Sequence, residues 1–348
     1  MKTVYVGLSG GVDSSVSAAL LKKQGYNVVG VFMKNWTKDL PGMPCPWKDD
    51  FQDAKRVAVQ LGIDFKVYDF EKQYRHKVVE YMLDGFRAGL TPNPDIVCNQ
   101  EIKFKLFLDT ALEDGADFIA TGHYADTKGG RLLMAKDSNK DQTYFLHRVT
   151  KEALSKTIFP LGKYTKPQVR ELAKKLNLVT ADKKESMGIC FVGKVGIKDF
   201  LKQYVKEQPG PIINQKGEQV GQHEGAMFYT IGQRHGLDVG GGLPCYVVGK
   251  DMKKNEVYVT TDLQDERLWS RELKFTSAHW ISDSPKPGQK LMVRTRHRAK
   301  LIPVKKLNKL SNSAWFAELT EEVRALTPGQ SAVFYSGDEC LGGGIVTV

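Results

Sequence analysis

Two patterns alternate over the first 125 residues. Short apolar runs at Lys2–Leu8, Val28–Met33, Asp64–Phe70 and Asp117–Gly122 have the length and branched content of buried strands. Between them lie stretches with helical spacing. One passes through Val16, Ala19 and Leu20 and can be capped by Gly25; another covers Phe51–Leu61 and stops at Gly62. Lys72–Arg87 and Lys103–Leu112 follow, flanking a polar loop. Strands alternating with helices predict an α/β domain with a doubly wound parallel sheet. Ligands of such a sheet lie off the carboxyl ends of its strands.

The pattern changes after the turn Gln208-Pro209-Gly210-Pro211. Glycine-punctuated strands at Met227–Ile231, Cys245–Lys250 and Glu256–Thr260 predict a small β-rich central domain. From Lys274 onward, short strands at Leu291–Thr295, Trp315–Leu319, Ser331–Tyr335 and Gly343–Val348 predict a C-terminal β-barrel. The expected division is 1–207, 208–272 and 273–348, and 348 residues are enough for two or three such units.

The first strand ends in Gly7, Leu8 and the loop Ser9-Gly10-Gly11-Val12-Asp13-Ser14. Strand, glycine loop and helix together gather free backbone amides and the positive end of a helix dipole around one point, an anion site. The serines can add hydroxyl donors. Asp13 suits Mg²⁺, which takes carboxylate and phosphate oxygens together. No lysine follows the glycines, so this is not the common GxxxxGK[ST] loop, and it is not GxGxxG either. The same sheet edge should bring up Met33, whose thioether suits an adenine face, and Gly122-His123. His123 is expected in substrate contact.

Composition narrows the setting. Hydrophobic residues are 41% and charged residues 26%, which fits a folded globular chain and excludes a disordered one. No run approaches the roughly 18 apolar residues of a membrane span, and Val4–Leu8 is too short for a leader core, so a cytoplasmic protein without membrane attachment is expected. With 51 basic and 40 acidic residues the net charge is +11, which points to a polyanionic partner. Nine cations and no acid fall between Lys286 and Ala317. There Arg294, Arg296, Arg298 and Lys300 alternate with Val293, Thr295, His297 and Ala299, so one strand would present four cations on one face to phosphates.

Five cysteines, scattered and without a CxxC pair, argue against a disulfide scaffold or a structural zinc. Cys245 and Cys340 adjoin apolar runs and look structural, and Cys45 sits between prolines. Cys98 lies in the proline-marked loop Thr91–Asn99 ahead of a helix, where a thiolate is stabilised, with Asp95 three residues before it. Cys190 follows Lys183, Lys184 and Gly188, and nearby positive charge favours a nucleophilic thiolate.

Six motifs then fall into one order: SGGVDS at 9–14, NPDIVCN at 93–99, TGHYA at 121–125, DQTYFL at 141–146, GICF at 188–191 and YTIGQRHGL at 229–237. SGGVDS alone resembles the pyrophosphate loop of the ATP pyrophosphatases, with their adenine-nucleotide hydrolase-like sheet. Together the motifs resemble the tRNA-specific 2-thiouridylases along the whole chain. Met187 departs from the threonine usual in that family.

The resemblance implies ATP-dependent sulfur transfer to the wobble uridine of lysine, glutamate and glutamine tRNAs, through a C2-O-adenylate. ATP would lie on Gly7 to Ser14, Met33 and Gly122, with Mg²⁺ on Asp13. Cys190 would carry a persulfide from a sulfur-relay protein or a cysteine desulfurase. Cys98 would release sulfide from it or assist direct attack on C2, leaving a transient Cys98–Cys190 disulfide for a thiol reductant. Asp95 would be the general base. Asn93, Pro94 and Asp95 would cradle the base. Lys140, Asp141, Gln142, Arg296, His297 and Gln330 would meet tRNA, with His297 able to stack on an exposed base. Two other classes stay open: an adenylating ligase acting on another substrate, and a non-catalytic RNA-binding protein.

Overall fold

The computed structural model describes residues 1–39, 45–184, 196–237, 239–240 and 242–347. The amino-terminal part opens with β1 (Thr3–Gly7), α1 (Val12–Lys23), β2 (Asn27–Lys34), α2 (Trp47–Leu61) and β3 (Asp64–Asp69). Two broken helical runs follow: α3 (Glu71–Tyr74) and α4 (Glu80–Arg87), joined by a π-turn at Arg75–Val79, then α5 (Pro94–Val97), a π-segment at Cys98–Leu106 and α6 (Phe107–Glu113). After β4 (Phe118–Ala120) come β5 (Asp126–Lys128), β6 (Arg131–Leu133), α7 (Thr143–Leu146), α8 (Lys151–Ser155), β7 (Thr157–Ile158), α9 (Lys166–Lys175) and α10 (Ile197–Leu201).

The sheet runs β3-β2-β1-β4-β7 and every pairing in it is parallel. Alternation along β1 shows why both faces are covered. Val4 and Val6 pack with Ala18, Leu21 and Val57 of α1 and α2, while Tyr5 on the other face joins Phe107 and Ile119. The chain winds outward from β1 to β3 and then returns to β4 on the other side of β1. The crevice between the carboxyl ends of β1 and β4 is therefore the topological switch point. This is the doubly wound sheet the pattern predicts.

The second helical run begins earlier than expected. Pro94 at its first turn and the Asn93 side chain, which accepts from the Ile96 amide at 3.4 Å, start it nine residues ahead of Lys103. Cys98 is thus inside a helix and not in a loop before one. Asn93 itself is extended (φ −112°, ψ 96°), as a residue before proline should be.

The central part forms a sheet of β8 (Gly210–Ile213), β9 (Gln219–His223), β10 (Tyr246–Asp251) and β11 (Glu256–Thr260) in the order β10-β11-β8-β9. The expected strand at Met227–Ile231 is instead a 3₁₀ turn at Ala226–Phe228 followed by extended chain. That chain is a joint between units. The Thr230 hydroxyl meets that of Thr91 at 3.2 Å, and the Ile231 carbonyl accepts from Arg296 at 3.0 Å.

The carboxyl-terminal part closes β12 (Trp269–Trp280), β13 (Leu291–Arg294), β14 (Ile302–Lys309), β15 (Ala314–Arg324), β16 (Ser331–Ser336) and β17 (Glu339–Val346) into a six-stranded antiparallel barrel, sealed by β12 against β17. Leu273, Phe275, Val293, Ala317 and Phe334 fill it. The β5–β6 hairpin of the first domain extends this sheet, with Leu132 and Leu133 paired to Cys340 and Glu339. Burial pushes the Cys340 thiol up, consistent with a structural role.

The row of four cations does not form. β13 ends at Arg294, and residues 295–300 make a turn in which Arg298 is left-handed (φ 63°). Arg294 is buried against Asp141 at 3.8 Å, Arg296 donates to the carbonyls of Ile231 and Ala325, and Lys300 pairs with Glu321 at 2.7 Å. Alternating polarity satisfied the spacing of a strand, but internal partners took the side chains.

Candidate active site

The loop after β1 is shaped by contacts only glycine permits. Gly10 has φ +71°, and a Cβ there would overlap the Asp50 carbonyl at the start of α2. A Cβ on Gly122, at the end of β4, would lie 2.8 Å from the Ser14 amide. A Cβ on Gly7 would lie 3.0 Å from the Met33 methyl, so Met33 covers the end of β1 as its expected position requires. The loop's own hydroxyls brace it. Ser14 Oγ accepts from the Ser9 amide at 3.2 Å, and Ser15 donates to the Gly11 carbonyl at 2.7 Å. α1 starts at Val12 with no side-chain cap, which leaves its first-turn amides to an outside acceptor.

Asp13 has partners that the local sequence does not show. Lys166 Nζ stands 2.7 and 2.8 Å from its two carboxylate oxygens, and the Tyr124 hydroxyl donates to it at 3.0 Å. The lysine missing from the loop is thus supplied from 153 positions away. It sits at the first turn of α9, whose start is fixed by a Thr165–Gln168 capping box and by the Lys166 amide bonded to Asp137. The capping box was a readable helix-start signal; the lysine's destination was not. No cluster of three or more metal-ligating side chains exists among the described residues. A divalent cation here would rest on Asp13 and the phosphates of a nucleotide, in competition with Lys166.

His123 connects this loop to the second helical run. Its Nδ1 is 2.8 Å from the Thr121 hydroxyl, and its ring packs on Phe104 at 5.6 Å and Phe159 at 6.2 Å. Burial, and secondarily the charge of Lys103, hold it well below the ordinary histidine range, so it is neutral. Asp95 and Cys98 lie on the same run. Burial raises the Asp95 carboxyl, with Lys103 opposing. Burial also pushes the Cys98 thiol up, against Lys103 and the Tyr74 hydroxyl, and Asp95 adds to the rise. The expected thiolate at a helix start is corrected accordingly: Cys98 is 5% exposed and protonated in this state. Cys190 and Met187 lie outside the described residues. Lys183, expected near Cys190, is paired with Asp50 at 2.8 Å and Asp53 at 2.7 Å.

Full-length relatives decide the family. A tRNA-specific 2-thiouridylase MnmA of Bacillus subtilis is 48% identical over 99% of this chain and 94% of its own. One of Idiomarina loihiensis is 49% identical over 99% and 96%. The chain belongs to the tRNA-specific 2-thiouridylase family. Three family descriptions match in succession: a "tRNA methyl transferase HUP domain" over residues 2–194, a "tRNA methyl transferase PRC-barrel domain" over 198–261 and an "Aminomethyltransferase beta-barrel domain" over 270–346. A solved 4-thiouridine synthetase–RNA complex with bound ATP is 17% identical, covering 58% of this chain and 50% of its own, with a TM-score of 0.36.

In the 2-thiouridylase chain the turn that carries Asn93, Pro94 and Asp95 lies beside the barrel. Gln330 donates to the Thr91 carbonyl at 2.8 Å, and Gly329 is packed so closely on Thr91 that a Cβ would lie 2.8 Å from its amide. The residues expected at tRNA divide in two. Asp141 is 1% exposed, accepting from Ala135 N at 2.8 Å and Thr143 Oγ1 at 2.5 Å, so its carboxylate is a structural hub. His297 is half-buried and packs on Phe145 at 4.5 Å, with Arg298 and Lys140 close enough to depress its basicity after burial, which brings it to about 4. The Arg298 side chain donates to the Asn139 carbonyl at 2.9 Å, and this joins the turn after β13 to the segment before α7 in one basic corner.

Proposed function

We propose that this protein replaces the C2 oxygen of the wobble uridine of lysine, glutamate and glutamine tRNAs with sulfur, using ATP. The carrying observation is the sharing of one crevice. Gly122 lies against the amides of the glycine loop, and His123, the next residue, packs on the helix that bears Cys98 and Asp95. An anion site and a buried thiol–carboxyl pair thus meet at the switch point of the sheet.

In this reading, loop amides, Ser9, Ser14 and Lys166 hold the phosphates of ATP, and Met33 lies against the adenine. Mg²⁺ would be held by Asp13 and phosphate oxygens and would neutralise their charge. The uridine, flipped out of the anticodon loop, enters between the Asn93–Asp95 turn and His123. Its O2 attacks the α-phosphorus, pyrophosphate leaves, and C2 now carries AMP as a good leaving group. Cys190 brings a persulfide from a relay protein or a desulfurase. Cys98, losing its proton to Asp95, attacks the Cys190 sulfur; the S–S bond breaks, and sulfide adds to C2 and expels AMP. The resulting Cys98–Cys190 disulfide takes two electrons from a thiol reductant.

The test is incubation with ATP, Mg²⁺, a sulfur donor and unmodified tRNA, followed by mass spectrometry of the tRNA nucleosides. An added sulfur should be present with the native chain and absent with Cys98→Ser and with Cys190→Ser. Pyrophosphate should be released only when substrate tRNA is present. Full activity in both variants would overturn the cysteine chemistry. Pyrophosphate release without tRNA would favour a ligase acting on a different substrate.

A further inference from the structure

Cys98 opens a nine-residue π-helical segment, Cys98–Leu106. In an α-helix, residues five apart point roughly 140° away from each other around the axis. In a π-helix the hydrogen bonds run between residues five apart, so those positions stack along one face. The bond closing this segment, from the Phe107 amide to the Ile102 carbonyl, has that spacing. Lys103 is five residues beyond Cys98, and Asp95 is one turn before it. The widened helix therefore sets Lys103 on the side of Cys98, a placement the same sequence would not achieve as an α-helix. Phe104, the next residue, packs on His123 at 5.6 Å, which fixes this turn against the end of β4.

The charges around Lys103 agree with that placement. Lys105 on the same segment reaches Glu101 at 3.6 Å, and Lys77 reaches it at 2.7 Å. Lys103 is half-buried and forms no ion pair within 4 Å among the described residues. Its charge acts on Asp95, Cys98 and His123 alike. The titratable groups facing Cys98 are Asp95 and Lys103 from its own helical run and Tyr74 from α3.

We propose that Lys103 is a positioning residue of this site, the counter-ion of the Cys98 thiolate that forms when Asp95 takes its proton. Without it the thiolate would stand in a buried place with only the Tyr74 hydroxyl to support it. The π-segment is then the device that aligns cation and nucleophile. This inference rests on reading Cys98 as the nucleophile.

The experiment does not depend on sulfur transfer. The rate of Cys98 alkylation by iodoacetamide is followed against pH in the full-length protein, with the modified peptide resolved by mass spectrometry. In Lys103→Gln the midpoint of the rate profile should move up, and near neutral pH the rate should fall roughly tenfold. The plateau at high pH, which reads access alone, should not change. Lys103→Arg keeps the charge and bulk and should restore the native midpoint. The proposal is overturned if Lys103→Gln keeps the native midpoint, if only its plateau falls, or if Lys103→Arg behaves like the glutamine variant. A shifted midpoint in a protein that does not thiolate tRNA would count against the proposed reaction and not against Lys103. An unmoved midpoint in a protein that does thiolate tRNA would count against Lys103 alone.

Discussion

Lys166 carries the sharpest consequence of single side-chain placement. Its side chain is 11% exposed and spans both oxygens of Asp13 at the mouth of the glycine loop. Removing it takes a cation from the phosphate side of the loop and leaves the Asp13 carboxylate without its lysine partner. Charged hydrogen bonds of this kind are worth about 1.5–3 kcal/mol. Lys166→Met should therefore raise the KM for ATP by roughly ten- to a hundredfold. Its Kd for tRNA, measured without ATP, should stay within about twofold of native, because the basic corner at Lys140 and Arg298 is untouched. The loop motif is legible in nine consecutive residues, but this lysine is not, since only the packing of α9 on α1 brings it home. His147 gives a second prediction. It is fully buried, with Nδ1 donating to the Tyr144 carbonyl at 2.9 Å, and burial lowers it to about 3. As pH falls below about 6.5 the unfolded chain takes up a proton that the native chain refuses until about 3, so stability is lost on acidification through that window. Urea unfolding of His147→Gln against native between about pH 6 and 4 should show a slope smaller by about 1.4 kcal/mol per pH unit.

Secondary-structure elements show where local pattern suffices and where it fails. β1, β2 and β4 are readable because a strand buried on both faces is a nearly continuous apolar run, whereas β3, at the sheet edge with no buried residue, is readable only from the alternation of Phe65 and Val67 with polar neighbours. Gly10 was readable as part of a tight loop, though its reason is not local: the Asp50 carbonyl of α2 occupies the space a side chain would need. Gly10→Ala must either leave the left-handed region or push α2 away. It should cost about 1–3 kcal/mol in denaturant unfolding and abolish detectable ATP binding, whereas Gly240→Ala, with open space around it and no left-handed φ, should cost less than about 1 kcal/mol and leave ATP binding intact. The start of α5 was misread although its signal was present. Asn93-Pro94 is a cap followed by a first-turn proline, a helix start inside what the prolines mark as a loop. The cation row failed for a deeper reason. Arg-Thr-Arg-His-Arg-Ala-Lys has the period of a strand, but periodicity records polarity without recording partners. Asp141, 153 residues before Arg294 in sequence, turns that arginine inward.

The three units act as one body because their joints are made of backbone as well as side chains. β6 adds to the barrel edge at β17, Arg131 meets Glu339 at 3.3 Å across that seam, and the Tyr144 hydroxyl donates to the Ser331 carbonyl at 3.1 Å. That rigidity relocates the meaning of the +11 charge. Several barrel cations have acidic partners: Arg294 is buried on Asp141, while Lys300 and Lys305 pair at the surface with Glu321 and Glu318. The proposed RNA contact is the corner where the turn after β13 meets the motif before α7, held together by Arg298 on Asn139. Its position is set by the seam, so tRNA bound there keeps a fixed relation to the glycine loop. If Lys140 and Arg298 each neutralise one phosphate, the double variant Lys140→Ala, Arg298→Ala should flatten the plot of log Kd for tRNA against log salt by about 1.4–1.8. Replacing the acid-paired Lys300 and Lys305 together should change that slope by less than about half as much. Filter binding from about 50 to 200 mM salt reads both slopes. Equal losses in the two double variants would mean that tRNA is held by diffuse charge over the barrel. A loss confined to Lys140 and Arg298 would show that tRNA is gripped at the corner these two residues form.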